Sequence, residues 1–125
     1  MAKSILIIGE DPSQIDFDAP GAPEGMSAAK VMDGLNDSIA RLEAMGHVPV
    51  LLLTRDAETV EALVTEALAE ANFDVIVIGT GLRTLPPMAL QFERLMNVLH
   101  EQAPATKLAF NSQPGDSDAA ALRWL

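Results

Sequence analysis

Two short runs constrain this chain more than anything else in it: Ile5, Leu6, Ile7, Ile8 and Val75, Ile76, Val77, Ile78. Each is aliphatic at every position, and each stops at a glycine, Gly9 or Gly79, before the sequence turns polar. A strand with one wet face alternates apolar and polar residues. A strand that is apolar throughout is covered on both faces, as parallel strands are inside α/β sheets. Parallel neighbours need crossovers of a dozen or more residues, so the segments between the runs must supply helices.

They do. After a first strand over residues 4–8 and a long loop over residues 9–26, Ser27 is an N-cap candidate. Val31, Met32, Leu35, Ile39, Leu42 and Met45 then fall on one helical stripe, with Gly46 at the C-terminal cap position. Residues 48–53 read as a second strand, placed at a sheet edge by Pro49, which cannot donate to a ladder. Asp56 caps a second helix with the stripe Val60, Leu63, Val64, Ala67, Leu68 and Ala71. Residues 74–78 form the third strand, and a loop over residues 79–87 leads to a helix with Met88, Phe92, Leu95, Met96 and Leu99 inward. Pro86 or Pro87 suits its first turn. A fourth strand over residues 107–110 precedes a short last helix capped by Asp116 or Ser117. Four βα units make one domain, residues 1–125: an α/β three-layer sandwich, flavodoxin-like or Rossmann-like. Right-handed crossovers with one reversal give a parallel four-stranded sheet of order 2-1-3-4. The fourth strand is then a second open edge and a route to a homodimer or other homo-oligomer.

Composition removes several classes of function. The formal net charge of −10 argues against nucleic acid and against an anionic membrane, both of which need clustered Lys and Arg. With no cysteine, disulfides, thiol catalysis and cysteine-ligated metals are excluded. No run is long enough for a signal h-region or a membrane span, so a cytoplasmic location is expected.

In an open parallel sheet, ligands bind where the strand order reverses, outside the carboxyl ends of the strands. Here that point lies between the first and third strands. The expected ligand-binding residues are Gly9, Glu10 and Asp11 after the first strand, Gly79, Thr80, Gly81 and Arg83 after the third, and Asn111 after the fourth. Amides at residues 79–81 and the Arg83 guanidinium could hold an anion; equally, the glycines serve a tight turn. Glu10 and Asp11 could hold Mg²⁺ through water, or one or both could pair with Arg83 or Arg55. Two carboxylates at the dinucleotide-fingerprint position would repel a pyrophosphate, so no dinucleotide cofactor is expected. Ile15 and Phe17 suggest that the long loop folds back as a flap. Asp16 and Asp18 read as solvated. His47 and His100 lie off this rim, so a general acid or base would have to be Glu10, Asp11 or Asp116. No residue set fixes a reaction, and whether the chain is an enzyme is open. The expected function is binding of a small polar or anionic metabolite at the rim. A non-catalytic homodimeric interaction module is the alternative, and a carboxylate-based Mg²⁺-dependent hydrolase a third idea.

The acidic pair after the first strand resembles that of response-regulator receiver domains, where such a pair binds Mg²⁺ beside a phosphoacceptor Asp at the end of the third strand. Here Gly79, Thr80 and Gly81 stand at that place, and the family's lysine after its last strand has no match. The resemblance implies a receiver-like topology without the usual phosphorylation. As a whole, the chain resembles a small bacterial α/β family with Gly9-Glu10-Asp11-Pro12, Gly79-Thr80-Gly81-Leu82-Arg83, Phe110-Asn111 and Arg123-Trp124. That resemblance implies a fold class and no established activity.

Overall fold

A computed structural model describes residues 2–20, 22 and 24–125; Gly21 and Pro23 of the long loop lie outside the described residues. The sheet is fully parallel, with strands β1 (Ser4–Glu10), β2 (Val48–Thr54), β3 (Val75–Ile78) and β4 (Lys107–Phe110) in the order β2-β1-β3-β4. Helices α1 (Ala28–Ala44), α2 (Val60–Glu70), α3 (Thr80–Thr84), α4 (Ala89–Gln102) and α5 (Ser117–Leu122) complete a three-layer α/β sandwich.

The register explains the two aliphatic runs. Ile5 pairs with Val75 and Ile8 with Ile78, so the two central strands lie side by side over their whole apolar length. Side chains alternate between faces. Ile5, Ile7, Val75 and Val77 pack with Val31, Leu35 and Leu42 of α1 and with Ala120 and Ala121 of α5. Leu6, Ile8, Ile76 and Ile78 pack with Val60 and Val64 of α2 and with Leu95, Val98 and Leu99 of α4. All eight strand residues are fully buried. Each such side chain contributes roughly 1.5–3 kcal/mol of hydrophobic stabilisation, which a polar residue on either face would forfeit.

Pro49 lies on an edge strand, as expected. Ser27 caps α1 by accepting the Lys30 N–H at 3.3 Å. Gly46, at φ +86°, ends that helix in the left-handed conformation that glycine tolerates best. Other boundaries differ from expectation. β1 and β2 run on to Glu10 and Thr54, because those residues still pair. Residues 79–87 are no loop: α3 fills most of the segment, and a 3₁₀ turn, Pro86–Met88, follows. Leu85, at φ −85° and ψ 116°, is extended because the residue before a proline is pushed out of the helical region. Asp56 sits ahead of its expected cap, accepting the Thr59 N–H at 2.8 Å and the Thr59 hydroxyl at 2.6 Å, and α2 begins only at Val60. Asp116 does stand at the N-cap of α5, as expected, while its side chain serves the 3₁₀ turn Pro114–Asp116 in a reciprocal capping box with Gln113.

That turn is pressed against α1. A Cβ on Gly34 would sit 2.9 Å from both the Gly115 nitrogen and the Pro114 Cβ. The Ser38 hydroxyl donates to the Pro114 carbonyl at 3.0 Å, and Arg41 Nε donates to Asp118 at 2.8 Å. Among the described residues, no helix is long and apolar enough to cross a membrane.

Candidate functional site

Where β1 and β3 end side by side, the structure has a cavity of ≈ 60 Å³. Six of the eight expected site residues line it: Gly9, Glu10, Gly79, Thr80, Gly81 and Asn111. The remaining walls are apolar. Val31 and Leu35 come from α1, Leu85 follows α3, Pro114 comes from the last 3₁₀ turn, and Ile15, Phe17 and Met26 come from the long loop. That loop does fold back onto the domain, with Phe17 and Met26 packed against the α1-side core.

Asp11 and Arg83, the other two expected residues, do not line the cavity. Asp11 caps the 3₁₀ turn Pro12–Gln14 by accepting the Ser13 N–H at 3.0 Å and the Ser13 hydroxyl at 2.8 Å. These bonds hold its carboxyl below the usual carboxylate range. The Arg83 guanidinium lies over the Phe110 ring, 5.1 Å from its centroid, and donates to the Asn111 carbonyl. Neither Glu10 nor Asp11 forms an ion pair with Arg83 or Arg55.

The expected amide cradle is largely engaged. Gly79 N–H donates to the Ile8 carbonyl at 2.8 Å, and Thr80 N–H donates to Asn111 Oδ1 at 2.7 Å. Asn111 Nδ2 in turn donates to the Ser117 hydroxyl at 2.9 Å. Asn111 therefore ties the ends of β3 and β4 to α5, and its buried amide is spent on that bridge.

Glu10 is the distinctive group. It is only 4% exposed. Its Oε1 accepts from Gln91 Nε2 at 3.0 Å and from Asp11 N–H at 3.2 Å, and lies 3.4 Å from the Thr54 hydroxyl. Gln91 Nε2 also donates to that hydroxyl at 2.9 Å, and the hydroxyl lies 3.2 Å from the Gly9 carbonyl oxygen. All of these partners crowd Oε1, and the buried Oε2 has no hydrogen-bond partner among the described residues. Burial pushes the carboxyl above its ordinary range; the bonds from Gln91, Asp11 and Thr54 pull the other way without cancelling it. The group can thus hold a proton where an exposed glutamate would not.

The Glu10 and Asp11 carboxyls have separate hydrogen-bond partners, Gln91 of α4 for one and Ser13 of the 3₁₀ turn for the other. Among the described residues, no three His, Cys, Asp or Glu side chains form a group that could hold a metal. Asp16 is exposed and accepts the Asp18 N–H, as a solvated turn does. His47 accepts the Lys3 N–H at 3.1 Å beside the start of β1, and His100 is exposed in the last turn of α4.

Gln91 is the site residue that sequence reasoning missed. Its signal was present: it stands four residues before Leu95 and seven before Val98, a polar residue on the apolar stripe of α4.

No known protein family and no curated protein matches this chain. A solved structure, described as "putative lipoprotein from Peptoclostridium difficile 630 (fragment)", superposes with a TM-score of 0.53 at 14% identity, covering 96% of this chain and 92% of that one. At that identity the likeness is one of fold: the chain shares its α/β architecture with that protein.

Proposed function

We propose that this chain binds a small molecule at the β1/β3 rim, beside Ile15, Phe17 and Met26 of the long loop. One observation carries the reading: a cavity lies at the reversal of strand order, where sheets of this flavodoxin-like order bind ligands, and most of the expected rim residues line it. Its volume of ≈ 60 Å³ suits a small ligand beside Ile15, Phe17 and Met26. No Lys, Arg or His lines the cavity among the described residues. An anionic metabolite lacks a counter-charge there, so the ligand class favoured is uncharged and mainly apolar, with one polar end toward Thr80 and Glu10.

The test is a thermal-shift panel of small neutral amides, alcohols and lactones beside inorganic phosphate and acetate, since ligands that bind only the folded state raise its melting temperature. The reading requires shifts from neutral compounds that are lost in Gly81→Leu. At Gly81 a Cβ meets nothing nearer than Leu85 Cδ1 at 3.9 Å, so the backbone accepts a side chain there. Shifts from phosphate or acetate that vanish in Arg83→Ala would restore the anion reading instead.

The second reading, a receiver-like module acting as a homodimer, is favoured by Phe110 and Trp124 beside the β4 edge, 40% and 51% exposed. It requires a dimer in sedimentation at micromolar concentration that Phe110→Ser with Trp124→Ser dissociates. A cytoplasmic location belongs to the proposal. The fold relative's description as a putative lipoprotein supplies the rival, a membrane-anchored protein, and cell fractionation decides between them.

A further inference from the structure

The outer edge of β2 is open, and its backbone pattern is defined. Val48 N–H donates to the Lys3 carbonyl, and the Thr54 carbonyl accepts from Asp11 N–H. Even-numbered residues of β2 therefore turn their backbone groups to β1, while Pro49, Leu51 and Leu53 turn theirs outward. Pro49 has no N–H, which leaves the amides of Leu51 and Leu53 as outward donors.

α2 flanks this edge with a second stripe besides its buried one. Leu63, Glu66, Ala67 and Glu70 are spaced i, i+3, i+4, i+7 and share a face. With Val50, Leu51 and Leu52 they line a groove of ≈ 210 Å³. Its floor is aliphatic and its outer wall carries the two glutamates. Val50 is 40% exposed although its counterparts on the central strands, Leu6 and Ile76, are fully buried, and Val48 is 53% exposed. Among the described residues, neither Glu66 nor Glu70 has an ion-pair partner.

We propose that this groove docks an extended segment of a partner protein, with aliphatic and basic side chains, as a strand added beside β2. Strand addition uses the free donors and acceptors of an edge for affinity and the pockets beside it for specificity. Charge selects the occupant. Two copies of this chain paired edge to edge about a two-fold axis would bring Glu66 and Glu70 of both to one junction, in a chain whose net charge is already −10. A lysine- or arginine-bearing segment meets the same wall with the opposite sign.

The test is fluorescence anisotropy of the intact chain with a labelled peptide of about six residues, a typical strand length, with valine and lysine in turn at every second position and threonine between, so that both reach the α2 side of the edge. Saturable binding is expected, weakened about tenfold by Glu66→Gln with Glu70→Gln, and lost when proline replaces the valines. Both glutamates are exposed, and an unchanged melting temperature in the double variant establishes that its fold is intact. The proposal is overturned by absence of saturable binding, by equal affinity for the proline peptide, which would signify charge-driven adhesion alone, or by indifference to the double variant. Self-association that competes with the peptide also overturns it, by making a second copy the occupant.

Discussion

At the scale of single residues, Glu10 is the group on which the site's electrostatics turn. Its carboxyl is raised by burial, so the folded chain holds a proton there that the unfolded chain releases. The sign follows from linkage: a raised folded-state value contributes stability that is fully present below the unfolded carboxylate value and lost as pH rises through the folded one. Glu10→Gln removes the buried charge. It should raise the melting temperature at neutral and alkaline pH, with the gain closing near pH ~4, where an ordinary glutamate protonates. A gain that does not vary with pH, or a loss at neutral pH, contradicts this account of the side chain. Gln91 makes the complementary case. Gln91→Ala leaves Glu10 and Thr54 short of a donor in a buried place, and urea unfolding should show a loss of about 1–3 kcal/mol. Glu10 stood out in sequence as a carboxylate where a strand ends; Gln91 was missed, although it is a polar residue on the apolar stripe of α4. Their meeting was not legible, because 81 positions separate them and only the fold brings them together.

At the scale of elements, the close approach of α1 to the turn Pro114–Asp116 gives a prediction whose sign is diagnostic. Helix propensity alone makes Gly34→Ala stabilising by about 1 kcal/mol. The contact makes it destabilising, because a Cβ there lies 2.9 Å from backbone and proline atoms that cannot swing aside. A net loss of about 1–3 kcal/mol by denaturant unfolding is expected, in the range of overpacked sites. Asp118→Ala, which releases the half-exposed Arg41 from the same junction, should cost about 1 kcal/mol or less. The long elements were readable because α1, α2 and α4 each run for enough turns to show a stripe and β1 and β3 are apolar throughout. α3 was not readable: five residues with two prolines close behind show no period, and its first amide is satisfied by Asn111, a residue 31 positions away.

At the scale of the molecule, the strand order followed from crossover handedness and one reversal, and a cavity lies where that order reverses. What lay beyond the sequence was the character of the site. The glycines and Arg83 suggested an anion cradle, yet the amides of Gly79 and Thr80 are engaged within the protein, and Arg83 turns to Phe110 and the Asn111 carbonyl. Ile15 and Phe17 marked the long loop as a flap in sequence, whereas the place of Met26 beside them at the cavity is a long-range packing outcome. The central claim is that this roofed space is where the chain takes its ligand. Amide NMR titration with the neutral panel, in the native chain and in Gly81→Leu, tests it most directly. The account predicts saturable shifts confined to Gly9, Gly79, Thr80, Gly81, Asn111 and the residues around Phe17, all lost in the variant. Saturable shifts that map elsewhere, or that persist undiminished in Gly81→Leu, would contradict it.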